Sequence, residues 1–132
     1  MRLPESAENY LETIFMLSIK KNPVRSIDIA NELDFSKPSI SIAMKNLREN
    51  GYIEINSSGH ITLTALGREI AQKMYERHIL ISNWLISLGV SKETAISDAC
   101  KMEHDISEES FLAIQKHITT IGIPQPSHVE NE

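Results

Sequence analysis

At 132 residues, 41% hydrophobic and 23% charged, the chain is long enough for one ordinary core, or for two small helical units sharing one. The formal net charge of -5 argues against a general nucleic-acid coat, the single cysteine excludes an internal disulfide framework, and no apolar run approaches the length needed to span a bilayer. Met1 to Glu8 carries no signal-peptide pattern, so a cytoplasmic protein is expected, in a reducing compartment and with no membrane partner. The acidity is uneven. Residues 1–64 carry 7 Lys+Arg against 8 Asp+Glu, and residues 65–132 carry 6 against 10, so basic surface remains available in the first half.

In chain order, SAENYLETIFMLSIKK predicts an amphipathic helix over 6–20, with Ser6 as N-cap and Tyr10, Ile14 and Leu17 inward; Asn9 and Glu12 stand one turn apart on its other face. SIDIANEL (26–33) predicts a short helix with Ile27, Ala30 and Leu33 inward. After the turn DFS, SKPSISIAMKNLRENG starts with Ser36 as N-cap and Pro38 in the first turn, buries Ile40, Ala43, Met44 and Leu47, and stops at Gly51. This is a helix-turn-helix pattern. YIEI (52–55) and HITLT (60–64), separated by Asn56, Ser57, Ser58 and Gly59, read as a β-hairpin wing.

One long helix is predicted over 65–88, closed by Gly89, with a seam of Leu66, Ile70, Met74, His78, Ile81 and Leu85 that His78 interrupts. Two further helices, 91–105 and 107–122, each open on a serine with Glu close behind. The polar stretch Pro124 to Glu132 is expected to be a disordered tail. The fold class is therefore mainly α with a small β-hairpin wing. Its expected parts are a winged helix-turn-helix domain over 1–64, a helical domain over 65–123, and the tail over 124–132.

In a winged helix the second helix of the motif enters the major groove with its N-terminal residues nearest the base edges. Here those residues are Ser36, Lys37, Pro38, Ser39 and Ser41, small groups that approach closely, with Lys45, Arg48 and Arg25 placed to hold phosphates. Double-stranded operator DNA is the expected partner. A second chemistry lies in DACKMEHDIS (98–107), where Cys100, Glu103 and His104 share one helix face at i, i+3 and i+4. A thiolate, a carboxylate and an imidazole at that spacing suit a metal. Alone, the stretch favours the plainer reading of a buried small hydrophobe beside two solvated surface residues, because short motifs have a high false-positive rate.

The segments SAENYLETIFML, IDIANELDFSKPSISIAMKNLRENGYI, ITLTALGREIA, RHILISNWL and DACKMEHDIS together resemble the metal-dependent transcriptional repressors named after the diphtheria toxin repressor, including the manganese transport regulators. The resemblance covers about residues 6–120. It implies a homodimeric repressor of the short, two-domain type, without a third, SH3-like domain. Carried over residue by residue, it implies a metal site of Asn9, Glu12, His78, Cys100, Glu103 and His104. The set is a hybrid. Glu12 and His78 follow the manganese branch, Cys100 follows the iron branch, and Asn9 offers only a neutral amide oxygen where the manganese branch has Asp. An ancillary iron-branch site would need histidine and acid where this chain has Ile96 and Ser82, and is not expected.

Glu12, His78, Cys100, Glu103 and His104 are each competent ligands for a divalent first-row metal. A thiolate moves preference from Mn(II) toward softer ions, so Fe(II) is expected first and Mn(II) next, at one or two ions per subunit. Such an ion would tie the DNA-binding half to the dimerisation half and set the spacing of the two recognition helices, provided it prefers the ordered arrangement. The excess of apolar residues on the C-terminal helices, Leu80, Trp84, Phe111, Ile114 and Ile118, is read as a buried dimer interface. Two other classes share parts of this pattern. A winged-helix regulator of a small organic ligand would not need Glu12, His78 and Cys100 to meet, and a small metalloenzyme would need a substrate pocket and general base that the sequence does not supply. The protein is therefore read as a regulator of metal homeostasis and not as an enzyme.

Overall fold

The computed structural model describes residues 3–121, so the expected tail over 124–132 and the last residue of the predicted final helix lie outside the described residues. The chain divides into two compact units, with the boundary after Lys73.

The first unit contains α1 (Glu5–Lys20), α2 (Ser26–Leu33), α3 (Lys37–Glu49), β1 (Ile53–Ile55) and β2 (Ile61–Leu63). Helix α1 starts one residue before Ser6, behind Pro4, whose extended backbone leads into a first turn with Glu5 and Glu8 at the positive end of the helix dipole. Its core face is Leu11, Ile14 and Phe15, with Tyr10 and Leu17 at the margins. Helix α2 is held at its start by Asp28, whose Oδ2 accepts the Arg25 N–H at 2.8 Å and whose Oδ1 accepts from Lys21 Nζ at 3.1 Å. Burial pushes this carboxyl up, but the Arg25 N–H and the Lys21 ammonium prevail and hold it below its ordinary value. Ile29 and Ala30, not Ile27, are buried in α2: the helix is only eight residues long, and Ile27 lies on its outer side at 38% exposure.

Asp34 takes the left-handed conformation (φ 58°) that ends α2, and its N–H returns to the Ala30 carbonyl. Ser36 then caps α3 as expected, accepting from the Ser39 N–H, with Pro38 in the first turn. Ile40, Met44 and Leu47 form the buried stripe of α3. The wing pairs β1 and β2 antiparallel in the register Ile53↔Leu63, Glu54↔Thr62, Ile55↔Ile61. Asn56 closes its tip by accepting from both the Ser58 and His60 N–H groups through Oδ1. Val24 bridges to Ile61 on the other side, so the chain before α2 is anchored to the wing.

Helix α4 (Ala65–Ser87) begins in the first unit and ends in the second. A Cβ at Gly67 would run into the Tyr52 carbonyl oxygen, so the helix approaches the wing through this glycine. Leu66 is consequently turned outward at 50% exposure, against its expected place in the seam.

The second unit holds the rest of α4 with α5 (Lys92–Asp105) and α6 (Glu108–Ile121). Gly89 (φ 101°) ends α4 with a backbone bond from Val90 N to Leu85 O, and the Ser91 and Ser107 hydroxyls accept from the Thr94 and Ser110 N–H groups to open α5 and α6. Leu80, Ile81, Ala99, Phe111 and Ile118 form its core, flanked by Trp84 and Ile114. This corrects one expectation. Leu80, Phe111 and Ile118 pack inside a single chain, because three short helices need them to close a core, and the apolar side chains left exposed are Ile86, Leu88, Ile96, Leu112 and Ile121. No helix among the described residues is long and apolar enough to cross a membrane.

Candidate metal centre and nucleic-acid interface

The helical face that carries Cys100, Glu103 and His104 turns inward at its last turn. Glu103 is 0% and His104 1% exposed, while Cys100 is half-buried. Ligand atoms of these three residues lie within 4.8 Å of one another. From α4, His78 brings Nδ1 to 2.9 Å from Glu103 Oε1, and His104 Nε2 stands 3.3 Å from Glu103 Oε2. The result is one fully buried carboxylate between two imidazoles with a thiol beside it.

That arrangement fits a divalent cation. A carboxylate withdrawn from water is costly unless hydrogen-bonded or paired, and here its neighbours are groups that also ligate metals. Ligands at about 2.0–2.3 Å from an ion stand at most about 4.6 Å apart, so the observed spread already approaches that of a coordinated set. Sulfur, nitrogen and oxygen donors together suit Mn(II), Fe(II), Co(II) and Zn(II) better than Mg(II) or Ca(II). Within the second unit the structure therefore assembles four of the six ligands expected from the sequence. The other two are on α1 in the first unit, where Glu12 is buried and Asn9 half-buried.

The expected DNA-contacting residues lie along one exposed stretch. Ser36, Lys37, Pro38, Ser39, Ser41 and Lys45 are all exposed on or just before α3, as is Arg25 before α2. Three of them already have partners. Ser36 Oγ accepts from the Ser39 N–H and donates to Ser39 Oγ at 2.8 Å, and Arg25 Nη2 lies 3.1 Å from His60 Nε2 on the wing. The sequence reading overlooked Ile42, which α3 holds 64% exposed among these polar groups. The signal was available: Ile42 falls outside the stripe of Ile40, Met44 and Leu47.

Comparison with known proteins places both halves of the chain in one family. Residues 2–61 match the model for the iron dependent repressor N-terminal DNA binding domain, and residues 64–122 match that for the iron dependent repressor metal binding and dimerisation domain. The transcriptional regulator MntR of Escherichia coli O157:H7 is 38% identical over 117 residues, covering 86% of this chain and 76% of the relative; MntR of Salmonella typhimurium is 38% identical over 120 residues, covering 88% and 76%. Among solved structures, a manganese-dependent transcriptional repressor in complex with manganese superposes with a TM-score of 0.76 at 26% identity, over 89% of this chain and 53% of that one. The manganese regulator SloR shares the fold with a TM-score of 0.76 at 24% identity, over 86% of this chain and 53% of its own. This chain thus spans about half the length of those two solved chains. With both family models matched in sequence order across nearly all of it, the chain belongs to the iron-dependent repressor family of metal-dependent, DNA-binding transcriptional regulators.

Proposed function

We propose that the protein is a homodimeric repressor that binds double-stranded operator DNA when loaded with Mn(II) or Fe(II), and so controls genes of metal-ion homeostasis. The observation that carries this reading is the convergence of His78, Cys100, Glu103 and His104 around one buried carboxylate. These four residues hold the ion, with Glu12 as a further carboxylate ligand; Asn9 is the weakest candidate, having only a neutral oxygen to offer. A bound divalent cation supplies the positive charge that allows a thiolate and carboxylates to be buried together. Names of the relatives point to manganese, whereas Cys100 in the ligand set favours a softer ion.

On the DNA side, residues 1–64 form the reading head and residues 65–123 the dimerisation and metal-binding part. The start of α3 meets base edges through Ser39, Ser41 and Pro38, with Ile42 offering an apolar contact to thymine methyls. Lys37, Lys45 and Arg25 hold phosphates and set the register. The exposed apolar residues of the second unit, Ile86, Leu88, Ile96, Leu112 and Ile121, are candidates for the surface between two copies. Because linkage is reciprocal, DNA and metal each tighten binding of the other.

The test is selection of binding sites from a random DNA pool in Mn(II), followed by anaerobic anisotropy titrations with Mn(II), Fe(II), Co(II), Zn(II) and chelator. The expected result is tight binding of the selected site with Mn(II) or Fe(II) and a large loss with chelator. Equal binding in chelator and in metal would refute it.

A further inference from the structure

We propose that Arg77 is a positioning residue for the metal centre, setting the end of α5 on which the ligands stand; this rests on the reading of His78, Cys100, Glu103 and His104 as that centre. Arg77 is a buried cation, 5% exposed, on α4. Its Nη1 donates to the backbone carbonyl of Glu103 at 3.0 Å and to that of Ile106 at 2.9 Å, while Nη2 meets Glu108 Oε1 at 2.9 Å. The guanidinium carbon sits 5.1 Å from the centroid of Phe111 on α6. One side chain therefore ties α4 to the end of α5, to the corner after it and to the start of α6.

The carbonyls in the last turn of a helix lack intrahelical donors and carry the negative end of the helix dipole. Glu103 and Ile106 would otherwise face this deficit in a largely buried place. Arg77 supplies both donors and a positive charge, which fixes the backbone of Glu103 while the adjacent residue, His78, contacts the Glu103 carboxylate. Consecutive residues of α4 thus hold the main chain and the side chain of the same ligand. A planar fork reaches two carbonyls and a carboxylate at once, whereas a lysine ammonium, on a shorter stem and without the fork, reaches fewer of them. A role of this kind acts on the metal through the ligand it holds, without touching the ion.

The test is anaerobic Co(II) titration of the full chain, read by visible and near-ultraviolet absorption and by competition with Mn(II), alongside circular dichroism of the metal-free proteins. Arg77→Lys is expected to stay helical, to bind Co(II) about 10-fold more weakly and to shift the cobalt bands as the ligand geometry loosens. Glu108→Ala, which removes the exposed anchor of the guanidinium, is expected to give a smaller loss in the same direction. If Arg77 merely stabilises the fold, Arg77→Lys lowers the metal-free melting temperature while both variants keep wild-type Co(II) affinity and bands, and the proposal is overturned. Should Arg77→Lys fail to fold, Glu108→Ala decides on the same criterion. A wild-type protein that takes up no Co(II) overturns the metal-centre reading and this proposal with it, whereas wild-type binding with unaltered variants overturns only the proposal.

Discussion

Replacing Cys100 by alanine separates ligation from packing because the two roles act on different observables. Cys100 is half-buried on α5, next to the buried Ala99, so packing alone assigns it only part of the value of one small apolar group. Deleting such a group costs at most about 0.8–1 kcal/mol, a shift of a few degrees in the melting temperature of a protein this size. Loss of a metal ligand is larger. Removing even an outer partner of a ligand weakens binding about 10–100-fold, or about 1.4–2.7 kcal/mol, and loss of the donor itself should reach or exceed that range. The assay is Co(II) binding under anaerobic conditions, with the sulfur-to-cobalt charge-transfer band as a direct report on the thiolate, together with thermal melts of the metal-free protein. Wild type should show the band and Cys100→Ala should lose both band and affinity with little change in the metal-free melt. Cys100→Glu should also lose the band, yet shift activation of DNA binding toward Mn(II) relative to Fe(II), since carboxylate oxygen is the harder donor. A metal-free melt that falls while metal affinity stays unchanged would make Cys100 a packing residue and leave the site to His78, Glu103 and His104.

Further tests bear on the DNA face and on the fold. Lys45→Ala should weaken specific and random DNA alike and reduce the salt dependence of binding, whereas Ser39→Ala should weaken the specific site more; identical behaviour of the two would show that α3 is not the reading helix. Asp28→Ala should destabilise the protein by about 1 kcal/mol at neutral pH through loss of the α2 cap. Because the Asp28 carboxyl is held below its ordinary value of 3.8, its contribution is complete above that pH and disappears as pH falls through the lower folded value; urea melts of wild type and variant should therefore converge in acid, and a gap that persists there would contradict the assignment. Gly67→Ala should destabilise by about 1–3 kcal/mol, since the new Cβ meets the Tyr52 carbonyl, and an unchanged melting temperature would show that α4 can withdraw from the wing without loss.

What the sequence disclosed follows from the range of the interactions concerned. Ser36, Ser91 and Ser107 cap helices, and Gly51 and Gly89 end them, through contacts a few residues away, so each was legible locally. The NSSG turn and its flanking β-favouring runs similarly announced the wing. Periodicity failed where a neighbour decided the facing. Leu66 fits the seam of α4 by spacing, but the close approach of Gly67 to Tyr52 turns it outward. Leu80, Phe111 and Ile118, assigned to a dimer interface, were indistinguishable from core until the three helices of the second unit were seen to enclose them. At the candidate metal centre, the Cys100, Glu103, His104 run was visible as a spacing, and His78 entered through family resemblance. Arg77 stayed hidden because its partners are backbone carbonyls, which every residue has and which sequence therefore does not mark.

The hydroxyl pair at the head of α3 has a direction. Ser36 Oγ accepts from the Ser39 N–H and donates its hydroxyl hydrogen to Ser39 Oγ, so the Ser39 hydroxyl hydrogen is not used between the two serines and is available to an incoming acceptor. Ser41 and Lys37 beside it also have protons to give, and lysine has no lone pair to offer. The surface that greets a partner at this helix end is polarised toward giving hydrogens. It is matched to the acceptor edge of guanine, to the thymine carbonyl and to phosphate oxygen. A binding site selected by this protein should therefore present acceptors, N7, O6 or O4, at the base pairs under the start of α3, a polarity of recognition set by how two serines share three hydrogens.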